Sequence, residues 1–310
     1  MRILAKTKDM SREEWLKIRS HSIGGSDVSV IAGINKFRSV YQLWLEKTGQ
    51  TEPEEGQSEN AHFGTVLEKI VRQEFMERTG LKVRQKNMIL QSNEYPFMTA
   101  NLDGVINDNG DKCIFEAKTA SEYKKEVWEN GVPPEYILQV QHYFAVLGKE
   151  YKRAYVAAIV GGNKFFYHIV ERDENLISRI IALEKHFWET HVIGGVEPVP
   201  DGSEATTRYL NERYEDLGAQ VELPDEVLSI CEEYDNLSEQ IKQLKSEKDA
   251  VANQIKTYLK DASVGIVGER KITWKAVVKN GLDIKRLKSE KPEIYEDYKT
   301  ESQYRKFSVA

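Results

Sequence analysis

The sequence predicts an α/β protein with a central mixed sheet flanked by helices, followed by a helical C-terminal extension. Three observations carry this. Short apolar strand-like runs alternate with amphipathic helical segments through roughly the first two thirds of the chain. Pro198, Pro200 and Gly202 then break the pattern. Beyond them a long heptad-spaced apolar stripe begins at Val227. The expected division is a first domain at 1–200, a linker and long helix at 201–262, and a small hairpin and helix region at 263–310.

The elements follow from local signals. Ser11-Arg-Glu-Glu14 is a capping box and starts a helix. Ser26 or Asp27 caps a second helix into the apolar run Val28–Ile34. Leu43 and Trp44 lie on a third, stopped by Gly49. Residues 50–60 are polar and form a loop. Residues 61–79 form an amphipathic helix, with Phe63, Leu67, Ile70, Val71 and Phe75 at helical spacing and Gly80 at its end. Strands are expected at 83–90, 97–106 and 112–118, the last two joined by the turn Asn107-Asp-Asn-Gly110. Helices follow at 122–130 and 135–147, then a hairpin of 152–160 and 164–171 around Gly161-Gly162, and a helix at 173–193 broken by Gly194-Gly195.

In the extension, Val227, Ile230, Tyr234, Leu237, Ile241, Leu244, Val251, Ile255 and Tyr258 recur with alternating gaps of 3 and 4, and Lys248 fills the one skipped position. Two readings stand: a long helix packed on its own protein, or a coiled-coil surface for a partner. Ile272, Trp274, Ala276 and Val278 alternate as in a hairpin strand, and a basic helical end closes the chain.

Composition narrows the function classes. Of the 310 residues, 40% are hydrophobic and 30% charged, enough for a sizeable core under a polar surface. No apolar run approaches the roughly 18 residues of a membrane span, and the basic N-terminus lacks the apolar core of a secretory signal. Cys113 and Cys231 match neither a disulfide framework nor a zinc site, which places the chain in a reducing cytoplasm. The net charge of −6 argues against a protein that coats nucleic acid, but not against an enzyme with a local basic groove.

The strongest chemical signal is Asn101-Leu-Asp-Gly104 followed by Ile114-Phe-Glu-Ala-Lys118. Residues i and i+2 of a strand share a face, so Glu116 and Lys118 point the same way and Ala117 lies behind them. An acid and a lysine on an otherwise apolar strand face are costly unless paired or metal-bound. Asp103, at the end of the preceding strand, joins them across the sheet. Two carboxylates and a backbone carbonyl suit a hard ion such as Mg²⁺, which polarises a phosphodiester and activates water. Lys118 can orient that water or stabilise negative charge. The plain alternative is a hairpin with an exposed Glu–Lys pair, since such triplets arise by chance.

Three features weigh against that alternative. Glu68 lies one helical turn after Gly64, whose missing side chain leaves room for a ligand. Gln139 and Tyr143 share one face of the helix after the hairpin, and Gln141 falls on another. Arg19 with Ser22-Ile-Gly-Gly-Ser-Asp27 offers a guanidinium, small residues and a helix start, a combination suited to phosphate. Each of these has an ordinary reading by itself: a solvated helix acid, a surface glutamine, a surface arginine. His142 has no metal-spaced partner and reads as a surface or core histidine.

Taken in order, these segments resemble the YqaJ-type viral recombinase family. That family is the phage alkaline exonuclease branch of the PD-(D/E)xK nucleases, related to lambda exonuclease. The matching stretches are Arg19–Val28, Tyr41–Gly49, Gly64–Glu68, Leu102–Gly104, Glu116–Lys118 and Gln139–Tyr143, within about residues 11–195. The resemblance implies a restriction-endonuclease-like core and a 5′→3′ exonuclease on double-stranded DNA that leaves single strand for recombination by annealing. It implies that Asp103, Glu116 and the Ala117 carbonyl bind Mg²⁺, with Mn²⁺ able to substitute. Glu68 would contact the ion or its waters, Lys118 would be catalytic, and Gln139 or Gln141 would order the active site. Arg19 and Ser26 match positions that hold the DNA 5′ phosphate. The implied partners are DNA ends, a single-strand annealing protein and, by analogy, a ring-like homo-oligomer, in the bacterial host cytoplasm and away from membranes. Leu102 stands where the motif name puts proline, and Gly24-Gly25 is typical of this branch but not of lambda exonuclease.

Two other functions fit parts of the pattern. An endonuclease of the same fold would use the same carboxylates and lysine, and cutting of closed circles separates it from an exonuclease. A non-enzymatic assembly protein would use the heptad helix and show no metal-dependent activity. An iron–sulfur nuclease is disfavoured, because two cysteines cannot supply four thiolates.

Overall fold

Ser11 caps the first helix as the sequence predicts: its hydroxyl accepts from the Glu14 N–H, and the Glu14 carboxylate accepts from the Ser11 N–H. The computed structural model describes residues 1–51, 59–301 and 304–309. The chain divides into two units, Met1–Arg213 and Tyr214–Ala310. In order, the first contains β1 (Arg2–Lys6), α1 (Arg12–Ser20), β2 (Ile23–Gly24), α2 (Val28–Ile31), α3 (Val40–Lys47), α4 (Glu59–Thr79), β3 (Val83–Arg84), β4 (Met88–Gln91) and β5 (Met98–Asn101). It continues with β6 (Gly104–Asp108), β7 (Asp111–Ala120), α5 (Lys125–Asn130), α6 (Pro134–Leu147), β8 (Tyr151–Val160), β9 (Lys164–Glu171), α7 (Glu174–His186) and α8 (Glu204–Arg213).

The architecture is the expected mixed sheet flanked by helices, but the strands form two sheets. One runs β3-β6-β7-β8-β9, the other β1-β4-β5-β2. In the five-stranded sheet β7 and β8 are parallel and the remaining neighbours antiparallel. A parallel pair needs a long crossover, and α5 and α6 supply it. Strand β8 is buried almost throughout, as the near-continuous apolar run Tyr155–Val160 requires. One face of the sheet packs Ile114, Val156 and Ala158 against Val140 and Phe144 of α6 and Ile177 of α7. The other packs Phe115, Tyr155 and Ala157 against Val71 and Phe75 of α4.

The two strands expected at 83–90 and 97–106 are each split between the sheets. The first becomes β3 and β4, the second β5 and β6. The second break falls at Leu102-Asp103. Gly104 permits it: a Cβ there would lie 2.4 Å from Val83 Cγ1. Periodicity cannot show such a break, because a chain that switches sheets keeps its apolar alternation. Strand β1, in a stretch read only as basic, pairs with β4 at the edge of the smaller sheet.

The amphipathic helix α4 buries only its second half. Val71 and Phe75 are in the core, whereas Phe63 and Ile70 of the expected apolar face are about half exposed. The turns before Val71 carry Gly64 and Glu68, and these face a polar site rather than core. The loop expected at 50–60 falls at 52–58 outside the described residues. Beyond Pro198, Pro200 and Gly202, Ser203 caps α8 by accepting from the Thr206 N–H. Tyr209 of α8 then meets Tyr41 of α3 edge-on at 6.3 Å.

The second unit contains α9 (Glu226–Leu259), β10 (Val264–Val267), β11 (Arg270–Thr273), α10 (Ile284–Glu290) and α11 (Pro292–Tyr298). The heptad residues of α9 from Ile230 to Ile255 are exposed, and only Leu259 is buried. The alternation read at 272–278 is strand only to Thr273. Its partner runs out there, since Thr273 pairs with Val264, the first residue of β10.

Phe75 fills the space between Phe115 and Tyr155, with ring centroids 5.0 and 5.5 Å away. Phe75→Ala is expected to destabilise the fold by about 3–5 kcal/mol, measured by chemical denaturation. A change below about 1 kcal/mol would show that α4 does not cover this face.

Candidate active site

Asp103 stands where the chain leaves one sheet for the other. The β6–β7 register pairs Gly104 with Phe115, so the next position would set Asp103 opposite Glu116. The ladder ends there, and the Asp103 carboxylate takes over by accepting from the Ala117 N–H at 2.8 Å. In an antiparallel ladder the N–H and C=O of one residue point to the same edge. The Ala117 carbonyl therefore shares the edge that Asp103 occupies.

Glu116 and Lys118 do point to one face. Lys118 Nζ donates to Glu116 Oε1 at 2.8 Å and to Gln139 Oε1 at 3.0 Å. Gln139 Nε2 donates to the same Glu116 oxygen at 2.6 Å and to the Tyr143 hydroxyl at 2.8 Å. Lys118 Nζ also lies 4.7 Å from the centre of the Tyr136 ring. The helical spacing i, i+4 places Gln139 and Tyr143 in this cluster together. Gln141 is elsewhere: it donates to the Glu171 carbonyl and accepts from the Asp173 N–H, tying the end of β9 to the start of α7. The two glutamines left open by the sequence are thus separated in space, and Gln141 does not reach the carboxylates.

The electrostatics are unbalanced. Burial and the neighbouring Asp103 push the Glu116 carboxyl up to about 8. Burial also raises Asp103 against the pull of Lys118. Lys118 is pushed down by burial, but Glu116 and Asp103 more than offset this and raise it. Glu116 Oε2 is buried and has no hydrogen-bond partner among the described residues. An orphaned carboxylate oxygen beside a second carboxylate is costly without a cation.

Glu68 of α4 joins from the helix side. Burial first, then Asp103, raises its carboxyl, and Arg72 one turn later holds it through Nη1–Oε1 at 3.0 Å. A Cβ on Gly64 would come no nearer than 3.9 Å to Thr119 Oγ1, so the turn before Glu68 is open towards β7. Among the described residues no group of three or more His, Cys, Asp or Glu side chains could hold a metal by itself. Asp103 and Glu116 suit an ion that needs few protein ligands. Mg²⁺ is of that kind, bound by one or two carboxylates and keeping several waters.

A second charged group lies beside the first. Asp27 is fully buried and gathers three cations: Arg19 at 3.2 Å, Arg38 at 3.0 Å and Lys47 at 2.9 Å. Burial alone would raise the Asp27 carboxyl, but the three cations hold it far below the usual carboxylate range. Burial lowers Lys47 to about 8 against the pull of Asp27. Arg38 is shared with Glu46, so three positive groups face two negative ones. Arg19 also donates to Ser26 Oγ at 3.0 Å and lies over Trp15. The arginine and serine chosen from sequence are therefore in direct contact. The convergence of Arg38 and Lys47 on Asp27 is not visible in the sequence, because nothing in their spacing shows it.

Arg19 and Ser26 line one cavity together with Asp103, Glu116, Gln139 and Tyr143, and a second one together with Asp27, Arg38 and Lys47. The glycine pair between them allows this close approach. A Cβ on Gly25 would sit 2.5 Å from Tyr143 Cε1 and 3.0 Å from Gln139 Cγ. A Cβ on Gly24 would meet only the Arg19 guanidinium, at 3.0 Å. His142, on another face of α6, is a core histidine. Its Nδ1 is 2.7 Å from the buried Glu184 carboxylate, and its Nε2 2.8 Å from the Thr99 carbonyl.

The fold and this site define an α/β protein of the D…E-x-K class, with two carboxylates and a lysine converging at the end of paired strands. The chain belongs to the YqaJ-like viral recombinase family. Residues 14–150 match the YqaJ-like viral recombinase domain. The chain is 45% identical over 310 residues to the YqaJ protein of Bacillus subtilis (strain 168), covering 99% of this chain and 97% of that one. Among solved structures it is similar to the alkaline exonuclease LHK-Exo from Laribacter hongkongensis, with 24% identity and a TM-score of 0.48, over 57% of this chain and 91% of that one. It is also similar to a phage-related exonuclease from Haemophilus somnus 129PT, with 15% identity and a TM-score of 0.42, over 56% and 97%.

Gly25→Ala is expected to destabilise the protein by about 1–3 kcal/mol, because the buried Tyr143 ring and the Gln139 side chain must move. Gly24→Ala should cost much less, since the Arg19 side chain can swing aside. Equal shifts in the denaturation midpoints of the two variants would contradict this account of the pair.

Proposed function

We propose that this protein is a Mg²⁺-dependent 5′→3′ exonuclease that degrades one strand of a DNA duplex from a phosphorylated end. The observation that carries the reading is the shared cavity: Arg19 and Ser26 line the same space as the carboxylates of Asp103 and Glu116, and Lys118 is bonded to Glu116 behind it. The carboxylate end alone fits either exo- or endonuclease action. The cationic end favours a substrate with a terminal phosphate.

Asp103, Glu116 and the Ala117 carbonyl would hold the metal, with Glu68 contacting it or its waters. Bound there, the ion supplies Lewis-acid polarisation of the phosphodiester and a lower pKa for the attacking water. The chain's own residues do the rest. Arg19 and Ser26 hold the terminal phosphate, and the Asp27 carboxylate fixes Arg19, Arg38 and Lys47 around that position. Lys118 carries a proton at Nζ beside the reacting phosphate, where it stabilises developing negative charge. Gln139 keeps Lys118 and Glu116 in register by bonding to both. Arg72 keeps Glu68 aimed at the site. Mn²⁺ would serve in place of Mg²⁺. The resulting single strand suits a single-strand annealing protein as partner, in a bacterial host cytoplasm. A ring-like homo-oligomer is a further expectation of the same reading.

Purified protein with Mg²⁺ and 5′-phosphorylated linear duplex, labelled on each strand, should release mononucleotides from the 5′ ends only. Closed circles cut as fast as linear duplex would make it an endonuclease. Asp103→Ala, Glu116→Ala and Lys118→Ala should each lower the rate by at least about 100-fold with unchanged circular dichroism. EDTA should stop the reaction. Arg19→Ala should slow digestion of phosphorylated ends far more than that of unphosphorylated ends. An Asp103→Ala protein digesting duplex at the wild-type rate would overturn the site assignment.

A further inference from the structure

Phe37 is a large side chain left 79% exposed in the ordered segment between α2 and α3. Isolated exposed apolar residues are common and need no explanation. The setting of this one is different, because the backbone that carries it is fastened on every side. Asn35 Oδ1 accepts from the Phe37 N–H at 2.9 Å and the Arg38 N–H at 3.0 Å. Asn35 Nδ2 in turn donates to Ser29 Oγ at 3.0 Å, and the N–H groups of Ile34 and Asn35 both donate to the Ser29 carbonyl. Arg208 of α8 reaches across to donate to the Phe37 carbonyl at 3.0 Å. Both polar groups of the Phe37 backbone are thus satisfied within the protein while the ring faces solvent.

The neighbours point to the kind of ligand. Lys36, immediately before Phe37, is exposed. Arg38, immediately after it, turns inward to Asp27 and lines a cavity with Arg19 and Ser26. An exposed aromatic ring on a fastened backbone, an exposed ammonium and, through Arg38, the rim of a cationic cavity match a ligand that pairs a flat π-face with phosphates. A nucleotide at a DNA end has both. Base stacking on an aromatic ring is sequence-tolerant, as a resecting enzyme requires, and a backbone already fastened loses little conformational freedom on binding.

We propose that Phe37 is a base-stacking platform for the DNA end whose 5′ phosphate lies at Arg19 and Ser26. The inference rests on the reading of that cavity as a DNA-end site. Stacking there positions the terminal nucleotide, so Phe37 acts on substrate placement rather than on the chemistry of cleavage.

The test uses the full chain in EDTA, which blocks cleavage, and 5′-phosphorylated duplex carrying 2-aminopurine at the terminal position of either strand. Wild-type protein should quench the fluorescence of one strand's terminal base. Phe37→Ala should abolish that quench and weaken binding roughly 5- to 100-fold. Phe37→Trp should restore both, while Phe37→Leu, apolar but without a π-face, should restore neither. Circular dichroism of each variant should match wild type, as expected for an exposed side chain. If Phe37→Ala binds and quenches like wild type, or if Phe37→Leu restores both, the stacking role is wrong and the end-binding site stands. If wild-type protein binds phosphorylated and unphosphorylated ends equally, without quenching, both readings fall.

Discussion

The structure depends on one unfavourable juxtaposition: the carboxylates of Asp103 and Glu116 forced together at the end of β6 and β7. Few arrangements make this tolerable. Lys118 supplies one positive charge and Gln139 two further polar contacts, yet Glu116 Oε2 remains without a partner among the described residues. Several features that look unrelated serve this point. The chain breaks its ladder at Leu102-Asp103 so that a carboxylate can replace a backbone acceptor opposite Ala117. Gly104 makes room for the break, and the crossover through α6 delivers Gln139 and Tyr143 on one face. A cation between the two carboxylates would offset this repulsion.

The second charged group has the opposite sign and is built on the opposite principle. Around Asp27 the buried anion is oversupplied with cations, so the surrounding space favours another anion. A protein of net charge −6 can therefore still present a positive site to phosphate. The Gly24-Gly25 pair lets Arg19 and Ser26 share a cavity with Gln139 and Tyr143. The spacing between Arg19 with Ser26 and the two carboxylates is then set by backbone packing at this glycine pair.

Much of this was legible in the sequence wherever local geometry decides it. Strand alternation alone places Glu116 and Lys118 on one face with Ala117 behind, and helical spacing alone pairs Gln139 with Tyr143. The capping box at Ser11 and the glycine stops after α3, α4 and α6 are of the same kind. What stayed hidden depends on residues brought together from distant parts of the chain. The partition of residues 83–108 between two sheets leaves no trace in periodicity. Asp27 meets Arg19 of α1, Arg38 before α3 and Lys47 of α3, and His142 meets Glu184 of α7, and ordinary charged residues give no advance sign of which will meet. Gln139 and Gln141 are equivalent in composition, and only the packing of α6 separates them. For α9, the heptad stripe was legible, and its residues from Ile230 to Ile255 are exposed, with the Phe307 ring 5.5 Å from that of Tyr234.

The central claim is that the Asp103–Glu116 pair is a divalent-metal site, and it is tested most directly without DNA. Isothermal titration of the wild-type protein with Mn²⁺ should show a bound ion at the site, and the ion should raise the melting temperature. In Asp103→Asn and in Glu116→Gln, where one repelling carboxylate is neutralised, that binding should be lost while the metal-free melting temperature holds or rises. Wild-type protein that takes up no divalent ion, or that melts at the same temperature with and without it, would contradict the account.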